Sequence, residues 1–342
     1  VEQLNKTALK AHGLDKSGHL YKVNSFDFHR YEETIKLADD PDYNQANFEG
    51  MLEIKGDSDH TKLIEMLDAL NDESQKIDDV LATYFDTENL VYWLAFQLLT
   101  GNCDTQNRNC YLYSPLNSNT WYFLDWDNDG MLRKLELSLT GFSDYASWER
   151  GVSNYWGNVL FNRALRSKSF RSELDAAVKD LRSYMTEERL AKMIKHYREV
   201  TESLVFAAPD IDNLPVTKDQ YEQIAAAIPA EIEENYKSFR ESYKKSMPFY
   251  IGMPQIDNGK LRINWDASYD FKARDIRYTV ELARDYAITD VIFKAEDVLL
   301  PEVTCDAPDA GQYFVRVRAT NSDGYTQDAF DYYVTDDGKQ YG

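Results

Sequence analysis

Residues Thr100 to Tyr113 read TGNCDTQNRNCYLY. Asp104 is followed five places on by Asn109, and then by a short apolar run, CYLY, that reads as a strand. Upstream, DTENLVYWLAFQLLTGN has the apolar content of a buried helix, with Asp86 placed to cap its start and Gly101 to stop it. Downstream, the turn-rich SPLNSN leads into a second strand-like run, NTWYFLDW, which delivers Asp127. A helix, a loop and a hairpin therefore carry two carboxylates and one amide toward one cleft. Alone, Asp104 and Asn109 would read as loop residues bonding their own backbone; the order Asp, Asn, hairpin, Asp gives the pattern its content.

The second run ends in DWDNDGMLRKLE, Asp125 to Glu136, which fits the calcium-loop pattern D-x-[DN]-x-[DN]-G-x5-E at every specified position. An EF-hand needs a helix on each side of such a loop, and NSNTWYFLDW reads as a turn followed by a strand. An acidic turn that matches by chance, or a calcium-stabilised module built on Asp125, Asp127, Asp129 and Glu136, remain alternatives. A third account covers both stretches at once. An aspartate to receive a hydroxyl proton, an asparagine five residues later, a β-hairpin and a second metal-binding aspartate form the order of parts in a protein-kinase catalytic centre. Phosphoryl transfer is mostly positioning and charge neutralisation, so one carboxylate must approach the nucleophile while an amide and another carboxylate hold magnesium on the phosphates.

The chain has 342 residues, 43% of them hydrophobic, enough for a sizeable core and for two or three folding units. Its 59 acidic and 38 basic residues give a net charge of -21, and no basic cluster interrupts that balance. Nucleic acid and anionic lipid are therefore not expected partners. No apolar run approaches the roughly 18 residues of a membrane span, so no transmembrane segment is expected and the class is soluble and globular. The first residue is Val1 rather than Met, which predicts a removed signal peptide or a longer N-terminal segment. Cys103, Cys110 and Cys305 are too few and too scattered for a disulfide framework or a zinc site; Cys103 and Cys110 could pair, but buried thiols are the expectation.

Composition divides the chain. Residues 1–130 mix strand-like pieces with helix patterns such as HTKLIEMLDAL; residues 131–247 read almost wholly helical; residues 252–342 switch to alternating runs such as LRINW, IRYTVELA and GQYFVRVRAT between turns. The last part reads as a small β-sandwich, and GQYFVRVRATNSDGY with Trp265 upstream resembles the final strands of a fibronectin type III domain. The fold class is α+β followed by an all-β sandwich.

GNCDTQNRNCYLY followed by WYFLDWDNDG resembles the signature of the CotH family, spore-coat protein kinases with an atypical kinase fold. LYK at Leu20 to Lys22, and EIK at Glu53 to Lys55 before a helix ending LDALND, fall in the family's order. The resemblance covers residues 1–130 with specific motifs, continues weakly to 247 and leaves the sandwich outside. It implies an atypical protein-kinase-like fold whose N-lobe is truncated in this chain, since the family's RGNS-like and further basic strands do not precede Val1. It implies that Asp104 is the catalytic aspartate, that Asp127 coordinates magnesium with Asn109 as second ligand, and that adenine lies between Tyr21 and Trp121. Asp129 is either a further ligand or a support of the turn. Lys22 and Glu53 match the lysine–glutamate pair of a kinase N-lobe, or else end a strand and face solvent.

The expected function is that of an atypical protein kinase using ATP and Mg (or Mn) to phosphorylate Ser or Thr of surface or coat proteins, in an extracellular or cell-envelope setting of a bacterium. The alternative from another class is a catalytically inactive cell-surface scaffold or adhesion protein that binds a partner through its sandwich.

Overall fold

The computed structural model describes residues 3–141 and 146–330, with the backbone of 333–334 and 340–341. The chain forms two compact units, Val1–Asp144 with Asn158–Lys237, and Tyr145–Gly157 with Ser238–Gly342. The fold class is α+β.

In the first unit, β1 (His19–Val23), β2 (Leu52–Ile54), β3 (Cys110–Ser114) and β4 (Tyr122–Asp125) form an antiparallel sheet in the order β2-β1-β3-β4. The central strand β3 is buried at all five positions. Around the sheet lie α1 (Lys6–Ala11), α2 (Gln45–Met51), α3 (Thr61–Asn71), α4 (Ile77–Tyr84), α5 (Thr87–Thr100), α6 (Lys134–Leu139), α7 (Val159–Arg166), α8 (Lys168–Tyr184), α9 (Glu187–Val205) and the larger part of α10 (Lys218–Ser242). On α3, Leu63, Met66, Leu67 and Leu70 make one buried face, each contributing roughly 2 kcal/mol of burial.

Helix α5 sets the position of everything that follows it. Leu90, Val91, Trp93, Leu94, Ala95, Leu98 and Leu99 are buried around much of its circumference, the pattern of a helix enclosed by the core. The side chain of Asp86 accepts from the Asn89 N–H at 2.9 Å and caps its start. Gly101 ends it in the left-handed region, at φ 65° and ψ 27°. A β-carbon on Gly101 would also lie 2.6 Å from Nδ2 of Asn235, which donates to the Leu99 carbonyl at 3.1 Å and satisfies a helix-end acceptor. Asn89 serves as a ladder partner for the edge strand β4: its Nδ2 donates to the Phe123 carbonyl at 3.1 Å and its Oδ1 accepts from Phe123 N–H at 2.7 Å.

Helix α10 begins at Lys218 and passes through Pro229. Proline costs a helix one backbone bond and crowds the carbonyl four residues back; here Ala225, Ala226 and Ala227 place small side chains in the preceding turn.

In the second unit, β5 (Gln255–Asp257), β6 (Lys260–Asn264) and β9 (Glu302–Asp306) form one antiparallel sheet, ordered β5-β6-β9. A second sheet runs β11-β10-β7-β8, from β7 (Ile276–Ala283), β8 (Val291–Val298), β10 (Phe314–Asn321) and β11 (Thr326–Asp328). Leu261 and Ile263 of one sheet share a core with Tyr278, Val280, Leu282, Val317 and Ala319 of the other, and Trp265 meets Tyr278 edge-on at 5.3 Å. Period-two burial along β6, β7 and β10 is what two sheets packed face to face require. Chain order and sheet order together match a fibronectin type III-like sandwich. A short pair, β12 (Tyr333–Val334) and β13 (Gln340–Tyr341), follows.

Candidate active site

The loop between α5 and β3 is pinned along its second half. Asn107 accepts from the Phe26 N–H through its carbonyl at 2.7 Å, and Asn158 Nδ2 donates to the Gln106 carbonyl at 2.8 Å and to Asn107 Oδ1 at 3.1 Å. The Asn109 N–H donates to the Val23 carbonyl. Within this frame, Asn109 Nδ2 donates to Asp104 Oδ2 at 2.8 Å, while the Arg108 guanidinium Nε lies 2.9 Å from Asp104 Oδ1. Asn109 holds a left-handed backbone at φ 58°, which asparagine tolerates better than most residues. Its amide nitrogen is spent on Asp104, and its amide oxygen is the atom that remains for a metal.

The loop after β4 comes to the same place through two buried amides. Gln97 Nε2 donates to Asp125 Oδ1 at 2.9 Å, and Gln97 Oε1 accepts from Asn102 Nδ2 at 3.0 Å. Asn102 Nδ2 also lies 3.3 Å from Asn128 Oδ1, and Asn102 Oδ1 accepts from the Asp104 N–H at 3.3 Å. Gly130 packs against this bridge: a β-carbon there would lie 2.7 Å from Asn102 Oδ1 and 3.2 Å from Asp104 Cβ. The 125–130 loop and the Asp104 loop are therefore neighbours.

Asp127 stands at the bend with φ 57° and ψ 53°, exposed, and its carboxylate makes no hydrogen bond or ion pair among the described residues. Asp129, also exposed, is in the same state. Asp125 is reached by solvent yet surrounded by protein, and burial raises its pKa against the Gln97 hydrogen bond. Burial also raises the pKa of the Cys110 thiol in β3.

The calcium-loop reading does not survive this geometry. The segment entering the loop is strand β4, Asp125 is turned to Gln97, and Glu136 makes a two-pronged pair with Arg133. Among the described residues no three His, Cys, Asp or Glu side chains form a group that could hold a metal. Magnesium is commonly held by one or two carboxylates, waters and substrate phosphates rather than by an all-protein cage. Asp127 and Asn109 lie on the two loops that Asn102 joins.

The upper residues are placed differently from the expectation. Lys22 and Glu53 face each other in register across β1 and β2, but no ion pair joins them. The Glu53 carboxylate is 2.5 Å from Lys55 Nζ, and the Lys22 ammonium lies 5.8 Å from the centre of the Trp126 ring. Lys55, one residue past the end of β2, takes that carboxylate instead. Tyr21 and Trp121 are core residues, 0% and 1% exposed, with ring centroids 6.0 Å apart and planes 33° apart. A base stacked between two rings needs about 3.5 Å on each side, or roughly 7 Å in all. In this conformation the pair is closed. The Tyr21 hydroxyl bonds Nδ1 of buried His60 at 2.9 Å, and His60 Nε2 lies 3.2 Å from the Tyr43 hydroxyl.

Gln97, Asn102 and Arg108 were not among the expected site residues. Asn102 carried a signal, two places before Asp104 in the GN-x-D run; Gln97 carried one only as the polar interruption of an apolar helix.

No curated protein matches the chain in a sequence search. Residues 1–239 match the family described as CotH kinase protein, which covers both loops of the site, all four strands of the first sheet and α1 to α9. The chain belongs to the CotH kinase family.

Proposed function

We propose that this protein is an atypical kinase that transfers the γ-phosphate of ATP to a Ser or Thr hydroxyl of a surface or coat protein, in an extracellular or cell-envelope setting. The observation that carries the reading is the Asp104–Asn109 hydrogen bond, tied through Asn102 to the loop that bears Asp127. Asp104 receives the acceptor proton, and Asn109 holds its carboxylate in place. Asp127 and the Asn109 amide oxygen would hold a magnesium or manganese ion, which when bound neutralises phosphate charge. Asp129 would serve as a further ligand or as support of the turn. Tyr21 and Trp121 admit adenine only if their rings part by about 1 Å, and Lys22 reaches phosphate only by leaving Trp126. The sandwich of the second unit would present a partner surface.

Transfer of labelled γ-phosphate to a generic Ser/Thr-containing protein tests the reaction. Asp104→Ala should lower the rate by about 10²–10⁴-fold, the usual contribution of a positioned base. Undiminished transfer would remove the mechanism. The closed Tyr21–Trp121 pair favours a second reading, a catalytically inactive scaffold that binds through its sandwich. Absence of ATP binding by calorimetry, with metal present, would select it.

A further inference from the structure

Both oxygens of the Asp104 carboxylate are engaged, one by Asn109 and the other by Nε of Arg108. The arginine contact is not explained by stability. The two side chains are 56% and 41% exposed, and exposed pairs contribute only about 0–1 kcal/mol. Nε is a single donor of a five-donor fork, and no other hydrogen bond or ion pair engages the Arg108 side chain among the described residues. Three other cations of this unit have partners of their own: Lys55 pairs with Glu53, Arg133 with Glu136, and Lys22 lies over Trp126. In a chain of net charge -21, a polyphosphate entering this cleft meets a repulsive field that only local cations offset.

We propose that Arg108 is a further catalytic residue, whose free guanidinium nitrogens bind the phosphoryl group in flight while Nε holds Asp104. The proposal rests on the kinase reading above. A base that accepts the acceptor proton must lie about 2.6–3.2 Å from that hydroxyl oxygen, which in turn lies about 3–3.5 Å from phosphorus. A guanidinium already bonded to that base is therefore within reach of the equatorial phosphate oxygens, which the planar fork matches two at a time. In the transfer, the acceptor oxygen forms its bond to phosphorus as the bond from phosphorus to the bridging oxygen breaks. That electron pair leaves with ADP, the hydroxyl proton passes to Asp104, and Arg108 stays a cation throughout.

The test compares full-length wild type with Arg108→Ala, Arg108→Lys and Asp104→Ala by calorimetry with ATP and ADP, and by labelled phosphate transfer. Arg108→Ala should bind ATP about 10-fold more weakly while ADP affinity changes less than about 2-fold, and transfer should fall by about 10²–10³-fold. Added guanidinium ion should restore part of that transfer, and Arg108→Lys should retain part of the ATP preference. If Asp104→Ala is inactive but Arg108→Ala keeps both transfer and the ATP preference, the role of Arg108 is overturned and the kinase reading stands. If both variants transfer phosphate like wild type, both ideas fail. A wild type that binds ATP and ADP equally also overturns the role of Arg108, because no contact is then specific to the terminal phosphate.

Discussion

Gly130 is the residue through which one loop of the site feels the other. Its α-carbon faces Asn102 Oδ1 so closely that any side chain must displace an amide that is 2% exposed and bonded to Gln97, Asn128 and the Asp104 N–H. Gly130→Ala is expected to cost about 1–3 kcal/mol, the usual range for overfilling a packed site, and to lower phosphate transfer more than the stability loss explains. Denaturant unfolding beside a transfer assay checks this; an unchanged midpoint with unchanged activity would mean that the loops are independent. Part of this arrangement was legible in the sequence. Asp104 and Asn109 stand five apart in a loop, and the structure joins them. The Gln97–Asn102 bridge was not legible, because a glutamine inside an apolar helix gives no sign of which loop it meets until the helix is packed. The Lys22–Glu53 pair was misleading for the complementary reason: pairing register puts Lys22 opposite Glu53, but Lys55, just past the end of β2, takes the carboxylate.

At the level of elements, α5 and the strands could be read directly, because caps and alternation are local. Asp86 and Gly101 bound the helix where their chemistry says it should begin and end. The passage of α10 through Pro229 could not be, since a proline within a helical pattern ordinarily marks an end or a kink. The cluster beneath β1 was also hidden. His60 is fully buried, stacked on Phe48 at 4.1 Å and held between the hydroxyls of Tyr21 and Tyr43. Burial depresses its pKa to about 4, with His19 adding to the fall and Asp59 and Asp57 opposing it. The folded protein thus keeps this imidazole neutral where the unfolded chain, near 6.5, takes up a proton. The stabilisation is complete above pH 6.5 and is lost as pH falls toward 4, by roughly 3 kcal/mol at most. Thermal melts from pH 7 to pH 4 should show a steeper loss for wild type than for His60→Phe. Equal slopes would show that His60 is not the group responsible.

Across the whole molecule, the charge of -21 bears on which acceptors meet the cleft rather than on the chemistry within it. Basic acceptor segments should be phosphorylated with higher kcat/KM than acidic ones, and the advantage should shrink as salt rises from about 0.05 to 0.5 M, because screening shortens the reach of the field. A preference that is independent of salt would place selectivity in contacts at the cleft instead. The sandwich could be recognised from alternation and turns alone.

We propose that Asp127 and Asn109 serve one ion beside Asp104. A crystal structure with manganese and a non-hydrolysable ATP analogue measures that directly through the anomalous signal of the metal. The expected result is a manganese peak within coordination distance of an Asp127 carboxylate oxygen and the Asn109 amide oxygen, with the terminal phosphate beside Asp104. A peak among Asp125, Asp129 and Glu136 with the nucleotide elsewhere would contradict it.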